Sequence, residues 1–335
     1  MMARHETKKT TMRYRTLGKL GWQVSEISFG AWALGGTWGA QDDVASIAAL
    51  RRALDLGVNL IDTAANYGRG RSERVVAEAI AGRRDQVFLV TKTPPIAGHW
   101  PPLPHERVED RYPEAHLRAN LEERLRNLKT DCLDVLLLHV WSRAWNRDPR
   151  PLAVLQRFKQ EGKIRAFGLS TPDHDQDQLN PLFRDRQIEV VQLVYNLFEQ
   201  QPAAEALPLA QENGVAVMGR LVFDEGSLTG KLTPETRFAP DDWRGRYFAG
   251  DRLSRTVARV AKIQADLAGS GFTLPQAAIK FALAHPAMST VIPGMRSIAQ
   301  VEANTAVSGL PDLPPALLEK LRAHIWLRGN WHVGK

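Results

Sequence analysis

Eight short apolar segments recur along the chain, separated by amphipathic stretches and bounded by Gly, Pro, Asp or Asn. Such alternation predicts β/α units. The segments are apolar on successive residues, which is typical of parallel strands buried on both faces. The predicted strands cover residues 27–29, 59–62, 87–91, 133–138, 164–169, 188–193, 215–218 and 290–292.

Eight such units favour an α/β fold in which the strands close into a single (β/α)8 TIM barrel rather than an open sheet. No G-x-G-x-x-G follows a predicted strand, which argues against a Rossmann domain. Segment 13–24 has Gly18 and Gly21 between β-prone residues and predicts an N-terminal β-hairpin.

The chain length fits one barrel with additions. A barrel typically needs about 250 residues, which leaves about 85 for the hairpin, long loops at the C-terminal rim and a tail. We therefore expect one barrel domain over residues 12–335. We expect residues 1–11 to form a flexible N-terminal extension.

Capping residues and periodicity locate the helices. Asp42 or Asp43 can cap a helix that Gly57 ends, and Ser72 can cap a helix through Ile80. Leucines at 117, 121, 125 and 128 share one face of another helix, whose polar face carries Glu122, Glu123, Arg124 and Arg126. Further helices are predicted around 152–161, 203–213 and 256–268.

The charge and cysteine content exclude several classes of protein. The formal net charge is +7, of which residues 1–20 contribute +5, so no basic face for nucleic acid is predicted. No apolar run is long enough to cross a membrane and residues 1–20 lack the apolar core of a secretory signal, so we expect a cytoplasmic protein without a membrane partner. The single Cys132 allows neither an internal disulfide nor a pair of Cys ligands, and no metal site is expected.

Polar residues end three of the apolar strands. Asp62, Lys92 and His139 follow the second, third and fourth predicted strands, and Tyr67 lies in a tight glycine-containing segment after Asp62. In a parallel barrel these strand ends meet at the C-terminal rim, where active sites lie. Each residue alone has an ordinary structural interpretation: a helix cap, a solvated lysine, a core imidazole or a packing aromatic. Together they could move a proton to an oxygen.

The chemistry of the four side chains suggests distinct roles. A phenol titrates near 10, so the Lys92 ammonium would be needed to stabilise the phenolate of Tyr67. Asp62 would keep Lys92 protonated, and His139 could donate a hydrogen bond to a substrate oxygen. Neither a metal motif nor a nucleophile elbow is present in the sequence, so an organic cofactor would supply the remaining chemistry.

Residues 62–73, Asp-Thr-Ala-Ala-Asn-Tyr-Gly-Arg-Gly-Arg-Ser-Glu, resemble the signature of the aldo-keto reductases. Thr91-Lys92 and Leu138-His139 fall where that family has its lysine and histidine, and the likeness extends from about Tyr14 to Asn304. The resemblance implies a barrel that uses NADPH to reduce an aldehyde or ketone. Tyr67 would be the general acid, assisted by Lys92, Asp62 and His139.

The resemblance also implies a set of cofactor-binding residues. They are Gly30, Ala31, Trp32, Ser170, Gln192, Arg220, Phe223, Gly226, Leu228, Gly294, Arg296, Ser297, Gln300 and Asn304. Arg296 could bind a 2′-phosphate through charge-assisted hydrogen bonds, which favours NADPH over NADH. Thr171, Arg220 and Ala303 depart from the family pattern, and Arg220 replaces an aromatic residue commonly stacked on the nicotinamide.

Tryptophans concentrate in the predicted rim loops and predict an aromatic or apolar carbonyl substrate. They are Trp32, Trp38, Trp100, Trp141, Trp145 and Trp243, with Trp326 and Trp331 in the C-terminal region. Two other functions stay open. One is a non-catalytic NADPH-binding subunit that senses redox state for a partner protein, and the other is a Schiff-base aldolase that uses Lys92.

Overall fold

The computed structural model of the 335-residue chain describes residues 12–327 except 37, 40 and 174. The predicted N-terminal extension over residues 1–11 and Trp331 lie outside the described residues.

The strands form a two-stranded antiparallel hairpin and an eight-stranded parallel sheet in the described part of the chain. They are β1 (Tyr14–Leu17), β2 (Trp22–Ser25), β3 (Phe29–Gly30), β4 (Leu60–Asp62), β5 (Phe88–Thr93), β6 (Leu133–Leu138), β7 (Ile164–Ser170), β8 (Val190–Val194), β9 (Ala216–Arg220) and β10 (Met288–Val291). The sheet follows chain order from β3 to β10. The predicted hairpin and the eight predicted strands are confirmed, with boundaries that shift by a few residues.

The two ends of the sheet are joined. Parallel bridges pair Ile27 with Val291 and Gly30 with Gly294. The amide of Gly30 also donates to the carbonyl of Pro293 at 3.1 Å. This arrangement fits a (β/α)8 barrel.

Helices connect successive strands on the outside of the sheet. They are α1 (Asp43–Asp55), α2 (Arg71–Ala79), α3 (Val108–Arg111), α4 (Glu114–Leu128), α5 (Arg150–Gln160), α6 (Asn180–Arg184), α7 (Ala206–Glu212), α8 (Arg244–Tyr247), α9 (Arg252–Leu267), α10 (Leu274–Leu283), α11 (Ile298–Ala306) and α12 (Pro315–Arg322). Short 3-10 helices follow β3, β6 and β9, at Trp32–Gly35, Arg143–Arg147 and Asp224–Thr229. Within the described residues, no helix combines the length and apolar composition needed to cross a membrane.

The hairpin closes the N-terminal end of the sheet. Leu17 and Val24 are buried in one apolar cluster with inward residues of the parallel strands, such as Leu60 and Val135. Gly18 lies so close to the backbone of β9 that a Cβ on it would be 2.5 Å from the amide nitrogen of Ala216. Because apolar packing fills this end, polar groups collect at the carboxyl ends of the strands.

The predicted cap at Ser72 is wrong. Helix α2 begins at Arg71, after Gly70 in the left-handed conformation with φ of 79°. The Ser72 hydroxyl instead donates to the carbonyl oxygen of Ala31 at 2.8 Å and lies 2.9 Å from the Thr63 hydroxyl. Ser72 therefore ties α2 to the ends of β3 and β4.

The predicted position of Arg124 on a polar outer face is also wrong. Arg124 is buried, and its Nε lies 2.8 Å from Oε2 of Glu73, which is buried too. The hydroxyl of Thr91 donates to Glu73 at 2.7 Å, and Asn127 donates to it at 2.9 Å. Burial raises the pKa of Glu73, and the charge of Arg124 opposes that shift.

Candidate active site

Lys92 forms a buried ion pair with Asp62 at the carboxyl ends of β4 and β5. Its Nζ donates to both carboxylate oxygens, at 2.7 and 2.8 Å, and to the carbonyl oxygen of Thr63 at 2.9 Å. Burial lowers the pKa of Lys92, but the combined effect of Asp62 and Tyr67 is larger, so the pKa is raised. Lys92 is therefore a fixed ammonium.

Asp62 has a second partner on the opposite side of the sheet. The side-chain amide of Gln192, on β8, donates to the same carboxylate at 2.8 Å. Burial raises the pKa of Asp62, while Lys92 and Gln192 oppose that shift. Gln192 thus orients the carboxylate as well as facing the cavity.

Tyr67 reaches Lys92 from the loop after β4. Its hydroxyl accepts from Lys92 Nζ at 3.2 Å, and Nζ also lies 4.9 Å from the ring centroid. The loop packs closely: a Cβ on Gly68 would lie 2.3 Å from the carbonyl oxygen of Gly35. Burial raises the pKa of Tyr67 although Lys92 lowers it. The predicted effect of Lys92 on the phenol is present, but burial has the larger effect, so Tyr67 is protonated in the resting state.

His139 completes the group from the end of β6. Its ring meets those of Tyr67 and Trp100 edge to face, with centroids 5.8 and 5.5 Å apart. Nδ1 is buried and has no hydrogen-bond partner among the described residues. Burial, together with Lys92 and Arg220, holds the pKa of His139 well below its usual range. The imidazole is neutral and can donate to a small molecule.

A cavity of about 700 Å³ opens beside these side chains. This volume is within the range of about 300–1,000 Å³ found for ligand pockets. Asp62, Tyr67 and His139 line it, whereas Lys92 lies behind them. The predicted cofactor residues that also line it are Gly30, Trp32, Ser170, Gln192, Arg220, Phe223, Gly226, Gly294, Arg296, Gln300 and Asn304.

Three predicted cofactor residues are not part of the cavity lining in the described structure. Ala31 and Leu228 are fully buried, and Ala31 offers its carbonyl oxygen to Ser72. Ser297 is the N-cap of α11, and its hydroxyl accepts from the amide of Gln300 at 3.3 Å. Ala31 and Leu228 therefore lie behind the cavity wall, whereas Ser297 is exposed at the start of α11.

Local features of the wall fit a dinucleotide. No atom lies within 4 Å of a Cβ built on Gly294, so its backbone is open to a ligand. At Gly226 the nearest atom is Nη1 of Arg244, at 3.8 Å. The positive φ of Gly226, 92°, turns the loop after β9. The absence of a side chain at these glycines lets a phosphate approach the backbone closely.

Two guanidinium groups form a positive end of the cavity. Arg296 donates from Nε to Oε1 of Gln41 and from Nη1 to the carbonyl oxygen of Trp38, both at 2.8 Å. Burial and then the charge of Arg244 lower the pKa of Arg296. Arg244 pairs with Asp242 at 2.6 Å. A concentration of positive charge of this kind favours a phosphate.

The Aldo/keto reductase family model matches residues 26–325. The chain belongs to the aldo-keto reductase family. It is 33% identical over 305 residues to the aldo-keto reductase YhdN of Bacillus subtilis, with 89% of each chain covered. It is 30% identical over 331 residues to a probable voltage-gated potassium channel subunit beta of Arabidopsis thaliana, covering 92% of this chain and 95% of that protein.

A solved structure of another aldo-keto reductase has the same fold. The Klebsiella pneumoniae protein in complex with NADP and acetate superposes with a TM-score of 0.69 at 26% identity, covering 95% of this chain and 98% of that one. The family is one of oxidoreductases.

The prediction that the rim tryptophans line the mouth holds for only some of them. Trp32, Trp38 and Trp100 line the cavity, and Trp243 packs on Trp32 with centroids 5.8 Å apart. The other residues are buried in packing: Trp141 is 0% exposed, Trp145 is 2% exposed and Trp326 is 4% exposed. Their loops fold back onto the barrel, so position after a strand alone did not distinguish them.

Sequence reasoning missed several residues in and around the cavity. Asp173 pairs with Arg220, Gln41 accepts a hydrogen bond from Arg296, and the charge of Arg244 acts on Arg296. No motif singles these residues out, because each is far in sequence from its partner. The acidic residue two positions after Thr171 could have been noticed as a counter-ion for Arg220.

Proposed function

We propose that this aldo-keto reductase reduces an aldehyde or ketone to the alcohol with NADPH, within one domain over residues 12–335. The observation that carries the proposal is the buried chain Asp62–Lys92–Tyr67, which reaches the same cavity as the neutral His139. Three aromatic rings on the wall, Trp32, Trp38 and Trp100, favour an aromatic or apolar carbonyl compound.

Side chains of the protein would supply the proton for the reaction. When bound, NADPH supplies a hydride for the carbonyl carbon. Tyr67 is protonated, since burial raises its pKa, and donates its phenolic proton to the carbonyl oxygen. Lys92 stabilises the phenolate that remains, and Asp62 keeps Lys92 charged. His139 donates a hydrogen bond to the same oxygen, and solvent returns the proton to Tyr67.

Different cavity residues would bind different parts of the cofactor. Ser170 and Gln192 would face the carboxamide, and the backbone at Gly226 would face the pyrophosphate. Arg296, with Arg244 beside it, would bind the 2′-phosphate and so favour NADPH over NADH. The Klebsiella pneumoniae relative is in complex with NADP, which supports a nicotinamide dinucleotide phosphate as the cofactor.

The test is NADPH oxidation followed by absorbance against a panel of aldehydes and ketones that includes aromatic ones. Tyr67→Phe should lower kcat by about 10²–10⁴-fold, with the Kd for NADPH almost unchanged. Tyr195→Phe is the matched control, because Tyr195 is buried against Phe281 away from the cavity. Equal turnover by Tyr67→Phe and the wild type would remove Tyr67 from its role.

A second candidate is a non-catalytic NADPH-binding subunit of a partner protein. The likeness to a probable channel subunit beta favours it. NADPH binding without turnover of any carbonyl compound would support this candidate instead. The Schiff-base aldolase is disfavoured, because a lysine held as an ammonium by Asp62 cannot attack a carbonyl.

A further inference from the structure

Arg220 brings a positive charge to the reacting end of the cavity. It is the last residue of β9 and pairs in register with Val194 on β8. Its Nη2 donates to the carbonyl oxygen of Thr171 at 2.7 Å and pairs with Asp173. Its Nε is buried and has no hydrogen-bond partner among the described residues. The guanidinium is therefore held in the wall with its buried Nε–H unused.

The charge of Arg220 acts on the groups that would handle the carbonyl oxygen. Burial is the main cause of the pKa shifts of Tyr67 and His139, and Arg220 contributes a lowering of the pKa at both. At His139 the effect of Arg220 exceeds the opposite effect of Asp173. Asp173 thus reduces the positive potential of Arg220 without cancelling it.

The other nearby cation lies behind the cavity wall. Lys92 is fully buried and donates to both oxygens of Asp62, so the pair has no net charge. Arg220 is the cation that lines the cavity itself at this end, and Asp173 offsets part of its charge. A ligand that gains positive charge at this end would be repelled.

We propose that Arg220 makes this protein bind NADPH more tightly than NADP⁺. The inference rests on the proposed function, because it assumes that the nicotinamide lies where it can reach a carbonyl held by Tyr67 and His139. The two forms of the cofactor differ at the nicotinamide ring, which is neutral in NADPH and carries +1 in NADP⁺. At an effective dielectric constant of about 20 and about 10 Å, one unit charge changes the relative affinity by roughly tenfold.

This preference affects release rather than the overall equilibrium. A catalyst leaves the equilibrium between carbonyl and alcohol unchanged, but weaker binding of NADP⁺ speeds its dissociation after each reduction. Product release often limits turnover. Arg220 therefore suits the protein to the reductive direction.

The test is isothermal titration of the full chain with NADPH and with NADP⁺. The wild type should favour NADPH, and Arg220→Gln should reduce the ratio of the two Kd values by about tenfold, equivalent to ~1.4 kcal/mol. Arg220→Lys keeps the charge and should keep most of the ratio. Asp173→Asn should increase the ratio, because it removes the opposing charge.

Arg244→Gln is the matched control. It removes one positive charge from the same cavity, at the end that pairs with Asp242 and adjoins Arg296. It should weaken both dinucleotides by similar factors and leave their ratio unchanged.

The outcomes separate this inference from the proposed function. If Arg220→Gln binds both dinucleotides with the wild-type ratio, the inference is overturned while the reductase function stands. If the Gln variant does not fold, an unchanged ratio in Asp173→Asn overturns it and an increased ratio supports it. Failure of the wild type to bind either dinucleotide overturns both.

Discussion

Replacing Asp62 with Asn measures how much free energy of unfolding is lost when Lys92 is left buried without its counter-ion. Lys92 is 0% exposed, and its ammonium donates to both oxygens of the Asp62 carboxylate. Asn keeps the size and one acceptor oxygen but removes the charge. The protein then has two options: to hold an uncompensated ammonium or to release its proton.

The second option limits the loss of stability. Removing one partner of a buried ion pair costs about 3–5 kcal/mol in the free energy of unfolding. Lysine titrates near 10.4 and each pH unit corresponds to about 1.4 kcal/mol, so deprotonation costs ~4.6 kcal/mol at about pH 7. At about pH 9 the same cost falls to ~1.9 kcal/mol. We therefore expect Asp62→Asn to lose ~3–4.6 kcal/mol at neutral pH and at most ~1.9 kcal/mol at the higher pH.

The sign of the pH effect follows from proton binding. In the variant, folded Lys92 has a lowered pKa while the unfolded chain still binds that proton up to about pH 10.4, so the variant gains stability as the pH rises. In the wild type the pKa of Lys92 is raised, and the residue is protonated in both states throughout this window. The difference between the two proteins should therefore shrink with pH.

Equilibrium unfolding in urea at about pH 7 and about pH 9 measures both free energies. The control is Asp62→Asn combined with Lys92→Met, which removes the ammonium and keeps an unbranched chain of similar length. The double variant should recover most of the loss and show no such pH dependence. A single variant with the same deficit at both pH values, or a double variant no more stable than the single one, would refute the reasoning.

Three further predictions concern the scaffold. Burial lowers the pKa of His139, so below about pH 6.5 the unfolded chain binds a proton that the folded protein does not, and stability is lost as the pH falls. His139→Asn should make stability fall less steeply with decreasing pH. An identical dependence of stability on pH in the variant would contradict this. Glu73→Gln leaves the buried Arg124 guanidinium with only the half-exposed carboxylate of Glu123 and should cost about 3 kcal/mol in urea unfolding, whereas a loss near zero would show that Glu123 alone compensates Arg124. Gly168→Ala places a Cβ 1.7 Å from the carbonyl oxygen of Val190. This overpacking should lower the free energy of unfolding by about 1–3 kcal/mol or more, and Tm should fall with it. An unchanged Tm would mean that β7 shifts freely.

The positions of Asp62, Lys92 and His139 could be predicted because they depend on a simple rule. An apolar run that ends in a costly polar residue marks the point where a buried strand reaches the rim. That rule needs only local sequence, and the eight parallel strands bring the three strand ends to one side of the barrel. Tyr67 followed from its short loop, whose glycines allow the close approach to Gly35.

Ser72 and Arg124 could not be predicted in the same way. Their partners, Ala31 and Glu73, are distant in sequence, and a local pattern cannot show that a polar side chain has a buried partner. Serine is a favoured helix cap and arginine is mostly exposed, so propensity alone gives the wrong answer at both positions. The sequence indicated the pairing of Tyr67 with Lys92 but not the extent of burial, which raises the pKa of Tyr67.

Burial sets the protonation states of the four side chains before a substrate binds. It keeps Tyr67 protonated and His139 neutral, so two hydrogen-bond donors can face one oxygen in the cavity. Asp62 opposes the lowering of the Lys92 pKa by burial and keeps Lys92 charged. In the resting state the charge of Lys92 is balanced, so it attracts the neutral phenol only weakly. In the proposed reaction, loss of the phenolic proton would turn this into an attraction between two full charges, so Lys92 would stabilise the transition state more than the ground state.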